Sequence, residues 1–331
     1  MIRYDPNGFN ERTNSGSVSR RKFITTGSIL IAGAALQPGW PRPNFNVAEP
    51  IIDIHQHTDY LGRSGENLLI HQRAMGIATT ILLPAGRPLL TASTHYGESN
   101  GLEAKATGNK VCRLFSKKHA KEFLFGANEV PDQPKAVKEI ENYLRRGAVV
   151  IGELKFGVDC DSSEMQKIYQ LAQDYAVPVL MHWQHGRYNY GFERWHTMLA
   201  KYPRVNFIGH AQTWWANIDK YHMDQSILYP KGKWTPGGLT DRFLSDYPNM
   251  YGDLSAGSGL NALTRDEGLS RKFIIRHQDK LMYGSDCADV DGLSPALCQG
   301  AQTIEAVKKL CETKQIERKL LYENARKLFK L

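Results

Sequence analysis

The chain is predicted to fold as a (β/α)8 barrel of the TIM type, an α/β fold whose parallel strands alternate with helices. Three observations predict this. Eight short apolar or β-branched runs recur along the sequence, amphipathic stretches of helical spacing separate most of them, and metal-ligating residue types gather at the ends of the runs. The runs cover 51–57, 78–84, 123–130, 148–156, 178–184, 205–210, 250–255 and 280–286. No Gly-x-Gly-x-x-Gly follows the first run, so a dinucleotide-binding sheet has no support.

Helices are expected between the runs. The stretch 134–146 carries Ala136, Val137, Ile140 and Leu144 on one face. The stretch 162–175 opens on Asp161, Ser162, Ser163 and Glu164, residues that satisfy free N–H groups at a helix start, and turns Ile168, Leu171 and Ala172 inward. Similar patterns cover 192–202, 239–247, 264–278, 304–311 and 316–329. The aromatic-rich stretch 212–235 shows no clear helix and reads as an insertion over the barrel mouth.

The length of 331 residues exceeds what a barrel needs, about 250, and the excess lies at the start. Ser19-Arg20-Arg21-Lys22-Phe23 precedes an apolar, small-residue run at 27–36 and then Pro38, Pro41 and Pro43. A basic segment, a short apolar segment and a small-residue cleavage site make a signal peptide, here of the twin-arginine type. The run is too short for a membrane span, which needs about 20 residues. Residues 1–40 are therefore read as signal peptide and linker, and 48–331 as the barrel domain. The twin-arginine export machinery becomes an expected partner and the periplasm or the extracellular space the expected location.

The net charge of +8 is spread among interleaved acidic residues, which argues against nucleic-acid binding. The five cysteines are odd in number and form no Cys-x-x-Cys, so buried free thiols are expected rather than a disulfide framework. A homo-oligomer remains compatible with the sequence.

Five strand ends carry residues able to hold a metal. The first has Asp53, His55 and His57, placed on one face by simple alternation. The fourth has Glu153 and Lys155, the fifth His182, the sixth His210 and the eighth Asp286. In a parallel barrel all these ends share one rim, so residues distant in sequence converge. A lone His-x-His is weak evidence. Polar groups at the ends of several apolar strands are stronger, because burying them unpaired is costly. Imidazole and carboxylate donors suit zinc or another borderline divalent ion.

On Asp53-Ile54-His55-Gln56-His57, His182, His210, Tyr283-Gly284-Ser285-Asp286 and the closing segment 321–329, the sequence resembles the amidohydrolase superfamily, in its amidohydrolase-related (amidohydrolase 2) branch. The resemblance runs from about Ile51 to Leu331. It implies that His55, His57 and Asp286 bind a metal, and that Asp286 accepts a proton from water there. With one ion, His182 is a further ligand and His210 polarises the substrate. With two, His182 and His210 hold the second, and a fourth-strand residue bridges the pair, either Glu153 or a carboxylated Lys155. Lys155 could instead bind a substrate carboxylate. One ion with Glu153 close by is the expected arrangement.

The expected activity is hydrolysis of an amide, lactone or other ester of a small molecule. Non-oxidative decarboxylation by the same branch is the alternative, and a non-catalytic binding barrel a third reading that the intact ligand set argues against. Trp183, His185 and Arg187 beyond the fifth strand are candidate substrate contacts. Trp183, Trp214, Trp215, Tyr221, Tyr229 and Trp234 form a candidate aromatic wall or lid.

Overall fold

The computed structural model describes residues 49–86, 106–292 and 298–331. The leader expected over 1–40 lies outside them. All eight strands form: β1 Ile51–Gln56, β2 Ile77–Leu82, β3 Phe123–Phe125, β4 Ile151–Leu154, β5 Val179–His182, β6 Phe207–His210, β7 Met250–Asp253 and β8 Leu281–Met282. They run parallel in sequence order, as β1-β2-β3 and β4-β5-β6-β7-β8. An Ala127–Ile151 bridge joins the two groups. Closure comes from Ile54 N–H to the Tyr283 carbonyl at 3.2 Å and Asp286 N–H to the His55 carbonyl at 2.8 Å. The result is the (β/α)8 barrel.

Two apolar layers hold it. Ile52, Ile54, Ile81, Leu83, Val150, Leu180, Ile208 and Met282 fill the interior, joined by Leu328 and Phe329 of the closing helix Asn324–Phe329. That helix reaches the amino ends of the strands, where Lys330 Nζ meets the carbonyl of Ala176 just ahead of β5. A larger cluster lies between strands and helices. Each fully buried Leu, Ile or Met there contributes about 1.5–3 kcal/mol relative to exposure.

The helix Ser163–Tyr175 starts where its cap predicts, with Ser162 Oγ accepting from Met165 N–H at 3.3 Å, and buries Met165, Ile168, Tyr169, Leu171 and Ala172. Other boundaries differ from the sequence expectation. The stretch 264–278 is the helix Glu267–His277, capped by Asp266, and a glycine-containing helix Ala256–Thr264 precedes it. The expected final helix is broken by a π-turn at Lys319–Glu323. Within 212–235 a short helix Gln212–Ala216 forms.

Trp214, Trp215 and Trp234 are corrected from rim aromatics to buried residues, and only Tyr221 and Tyr229 of the expected wall are exposed. Trp214 packs on Phe192, while Trp215 and Trp234 pack on Phe273. Burying these large rings between strands and helices removes more apolar surface from water than a wall around an open mouth would. Among the described residues, no helix is long and apolar enough to cross a membrane.

Candidate metal centre

The carboxyl ends of six strands meet in one buried cluster. His55 and His57 come from β1, Glu153 from β4, His182 from β5, His210 from β6, Asp253 from β7 and Asp286 from the turn after β8. Alternation places three of them directly. Leu180, Ile208 and Tyr251 point to the interior cluster, and His182, His210 and Asp253 follow two residues later on the same side. In β1 and β4 the register shifts, between Asp53 and Gln56 and between Ile151 and Leu154. Those shifts turn His55 and Glu153 inward although Ile54 and Val150 already face the interior.

Asp53 is consequently not on the histidine face. Its carboxylate accepts from Gln72 Nε2 at 2.9 Å, from the N–H groups of His55 and Ser285, and from Ser285 Oγ. Burial raises its pKa against those bonds. It ties β1 to β8 and to the helix Gly65–Ala74.

The hydrogen bonds settle where the ring protons sit. His57 Nδ1 lies 2.8 Å from the Leu83 carbonyl, which can only accept, so Nδ1 carries the proton. His55 Nδ1 lies 2.7 Å from Asp253 Oδ2. Both rings therefore use Nδ1 in those bonds and turn Nε2 toward each other, 3.3 Å apart. Two lone pairs at that distance repel unless a cation or proton lies between them, which fits a metal. Around them stand Glu153 Oε2, at 3.6 Å from His55 and 3.5 Å from His57, and Asp286 Oδ1, at 3.9 and 3.5 Å. Asp286 Oδ1 is buried and makes no hydrogen bond, as expected of an atom shaped for an ion.

The other oxygen of Glu153 faces a second pair. Its Oε1 is 2.5 Å from His182 Nδ1 and 3.7 Å from His210 Nε2, and His210 Nε2 is also 3.7 Å from Asp286 Oδ2. Donor atoms of Glu153, His182 and His210 thus form one compact trio, and those of His55, His57 and Glu153 another. His182 Nε2 is 3.2 Å from Gln184 Oε1.

Asp253 is not among the residues that the sequence pattern singles out, although it ends β7 just as His210 ends β6. It orients two rings at once. Oδ2 reaches His55 Nδ1 and, at 3.3 Å, His210 Nδ1, while Ser255 Oγ bridges His210 at 2.9 Å. Burial opposes its charge, but the His55 and His210 rings outweigh burial and hold its pKa well below the usual range. Burial likewise opposes ionisation of Glu153, and His182 and His55 overcome it, keeping Glu153 a carboxylate. Burial lowers His57, with His55 adding to the effect. On His55 burial is outweighed by Asp286 and Asp253, which raise its pKa well above the ordinary value. His182 is pushed down to about 4 by burial and then by the charge of Lys155, so its ring is neutral near pH 7. Tyr60 is likewise not singled out by the sequence pattern. Its ring lies against His57, and burial followed by the Asp286 charge raises its phenol pKa well above 10.

The four candidate substrate contacts divide. Trp183 is corrected: His182 faces in, so its neighbour faces out, fully buried against Phe192 and Trp195 at 5.1 Å from each. Lys155 Nζ lies over the Tyr188 ring at 5.2 Å, and the Arg187 guanidinium over the same ring at 5.6 Å. His185 is exposed, with its N–H on Thr213 Oγ1 at 2.7 Å. Gln184, which meets His182, and His185, Asn189, Phe192, Thr213 and Leu239 help to line a cavity of about 380 Å³, whose lining includes none of the candidate metal donors.

The family model described as amidohydrolase matches residues 52–331. The chain belongs to this amidohydrolase family. No curated protein matches it. Among solved structures, one similar to this chain is a probable 2-pyrone-4,6-dicarboxylic acid hydrolase from Acinetobacter baumannii with citric acid bound, at TM-score 0.54 and 14% identity, covering 85% of this chain and 99% of that one. A second is a 2,6-dihydroxybenzoate decarboxylase complexed with 2,6-dihydroxybenzoate, at 0.52 and 14%, covering 86% and 100%. A third is a dihydroxybenzoic acid decarboxylase from Polaromonas sp. with bound manganese and 2-nitroresorcinol, at 0.51 and 16%, covering 86% and 97%. At these identities the likeness concerns the fold. Metal dependence follows from the family and from the donor set described above.

Proposed function

We propose that this amidohydrolase is a hydrolase of an amide, lactone or other ester, and that its centre would hold two divalent ions, one beside His55 and His57 and one beside His182 and His210, with Glu153 between the two pairs. The observation that carries this is the division of the Glu153 carboxylate. One oxygen faces His55 and His57, and the other faces His182 and His210. This departs from the single ion expected from sequence. Lys155 lies over Tyr188, which favours Glu153 over a carboxylated Lys155 as the group between the pairs.

A divalent cation held there would supply Lewis acidity toward an oxygen of water or substrate. The protein's own part is to move a proton and to hold the substrate. Asp286 Oδ1, which has no hydrogen-bond partner, accepts the proton of the attacking water and returns it to the leaving group. Asp253 keeps the His55 and His210 rings fixed. The 380 Å³ cavity is within the usual range for a small-molecule site and would take the body of the substrate. A carboxylate on the substrate would find Lys155 beside His182, which is the observation favouring decarboxylation as the second reading.

Turnover in ¹⁸O-labelled water tests the reaction. Label in the acid product is expected; carbon dioxide release without label would replace hydrolysis by decarboxylation. Paramagnetic resonance of the Mn²⁺-loaded protein tests the count. A spin-coupled pair is expected, and uncoupled Mn²⁺ alone would return the centre to one ion. Export by the twin-arginine route rests on Arg20, Arg21 and the apolar run after them. Replacing both arginines by Lys is expected to stop it, and unchanged secretion would remove the reading.

A further inference from the structure

We propose a second metal site, separate from the histidine–carboxylate centre, formed by His71, Cys287 and Cys298 and suited to a thiophilic cation such as Zn²⁺. His71 belongs to the helix Gly65–Ala74, Cys287 to the loop after β8, and Cys298 caps the helix Gln299–Leu310. The Sγ atoms of Cys287 and Cys298 are 3.2 Å apart, and His71 Nε2 is 3.3 Å from Cys298 Sγ. The three donor atoms all lie within 4.8 Å of one another. Met75 Sδ approaches to 3.5 Å of Cys298 Sγ and adds a thioether on the same side.

Three features separate this cluster from ordinary buried cysteine. First, both sulfurs accept backbone N–H groups, Cys287 from Asp289 and Cys298 from Ala301, each at 3.4 Å. Such bonds stabilise sulfur as thiolate, the form that ligates. Second, His71 is fully buried, and its Nδ1 has no hydrogen-bond partner among the described residues. An imidazole buried this way is costly unless its other nitrogen gains something strong. Third, the chain is shaped around the ring. Gly292 has φ +68°, and a Cβ there would sit 2.7 Å from the His71 carbonyl and 3.3 Å from its Cδ2. A disulfide would use both sulfurs and leave His71 and Met75 without a role.

Two thiolates with one imidazole are a donor set for zinc or a softer ion, whereas the main centre offers only nitrogen and oxygen. Binding Zn²⁺ releases the two thiol protons to solvent and forms two Zn–S bonds. The site has a bearing on the first centre, since Cys287 directly follows Asp286. Its carbonyl already accepts from Gln56 Nε2 at 3.1 Å and from the Arg63 guanidinium at 2.8 Å. Ligation at Cys287 Sγ would fasten the Asp286 loop to the helix bearing His71.

The sulfur ligands give the site its own signature. The full-length chain is purified under reducing conditions, stripped of metal and titrated with Co²⁺. A near-ultraviolet thiolate-to-cobalt charge-transfer band is expected. It should vanish in Cys298→Ala and in His71→Ala lose intensity or shift, yet persist in Glu153→Ala, which alters only the main centre. X-ray absorption at the zinc edge of the unaltered protein covers the case of a variant that does not fold. It should show sulfur neighbours at about 2.3 Å. Absence of both the band and the sulfur neighbours, with the two thiols titrating freely or joined as a disulfide, would overturn the site.

Discussion

Strands β1 and β4 deliver their ligands to the centre by a different route from β5, β6 and β7. In the latter three, the interior apolar residue and the polar residue at the rim are two positions apart, so the pleat alone aims the side chain. In β1 and β4 the interior residue and the ligand have opposite parity, Ile54 against His55 and Val150 against Glu153, and a register shift reconciles them. Regular pleat is enough to bring one residue per strand to the rim. Bringing two histidines from one strand, or a carboxylate between two imidazole pairs, takes a local irregularity held by other parts of the molecule. Beside the β1 irregularity, Asp53 accepts from the backbone N–H of His55 and of Ser285.

Substitutions can break or sharpen this contrast. The largest effect is expected at the point where the two kinds of strand meet. Asp286→Asn should lower kcat by about 10²–10⁴-fold, as loss of a general base does, with the far-ultraviolet circular dichroism unchanged. Activity near that of the unaltered protein would place the proton transfer elsewhere. Trp183→Ala tests the regular pleat of β5 and should cost about 3–5 kcal/mol of stability in denaturant unfolding. If it instead raised KM with stability intact, Trp183 would belong to the substrate pocket after all.

Asp253→Asn comes next. It weakens the hold on His55 and His210 together, and metal affinity measured by chelator competition should fall about 10–100-fold. Asp53→Ala leaves several buried donors unpaired and should cost about 1–3 kcal/mol, with the amount of bound metal unchanged. Loss of metal on that substitution would show that the β1 irregularity needs Asp53. The smallest effect is electrostatic. Lys155→Met removes a charge that lowers His182, so the His182 pKa in metal-free protein should rise from about 4. Burial, the larger cause, remains, so the rise should stop short of 6.5. Ring-proton titration by nuclear magnetic resonance reads this directly, and an unmoved value would separate Lys155 from the centre.

Much of this could be read from the residue string. Apolar runs and turn signals located all eight strands, and strand-end polarity singled out His55, His57, Glu153, His182, His210 and Asp286, which do converge. The readings that failed did so for identifiable reasons. Trp183 was assigned to the pocket although alternation from His182 points it outward. Asp253 is not distinguished by pattern, because an aspartate at one strand end looks like any helix-capping residue until its two histidine partners are in place. The face assigned to Asp53 assumed an unbroken pleat, and the long final helix assumed uninterrupted 3.6-residue periodicity.

Pattern and composition along the chain were sufficient for the barrel and for the kinds of donor at its rim, because periodicity and burial cost are local or additive properties. Partnership was not available from them. Which nitrogen of His55 is free, which oxygen of Glu153 faces which pair, and whether His71 meets Cys298 depend on groups up to 227 positions apart brought within 4 Å. Such encounters follow from barrel closure and from register shifts of a single residue, and neither leaves a periodic trace in the sequence.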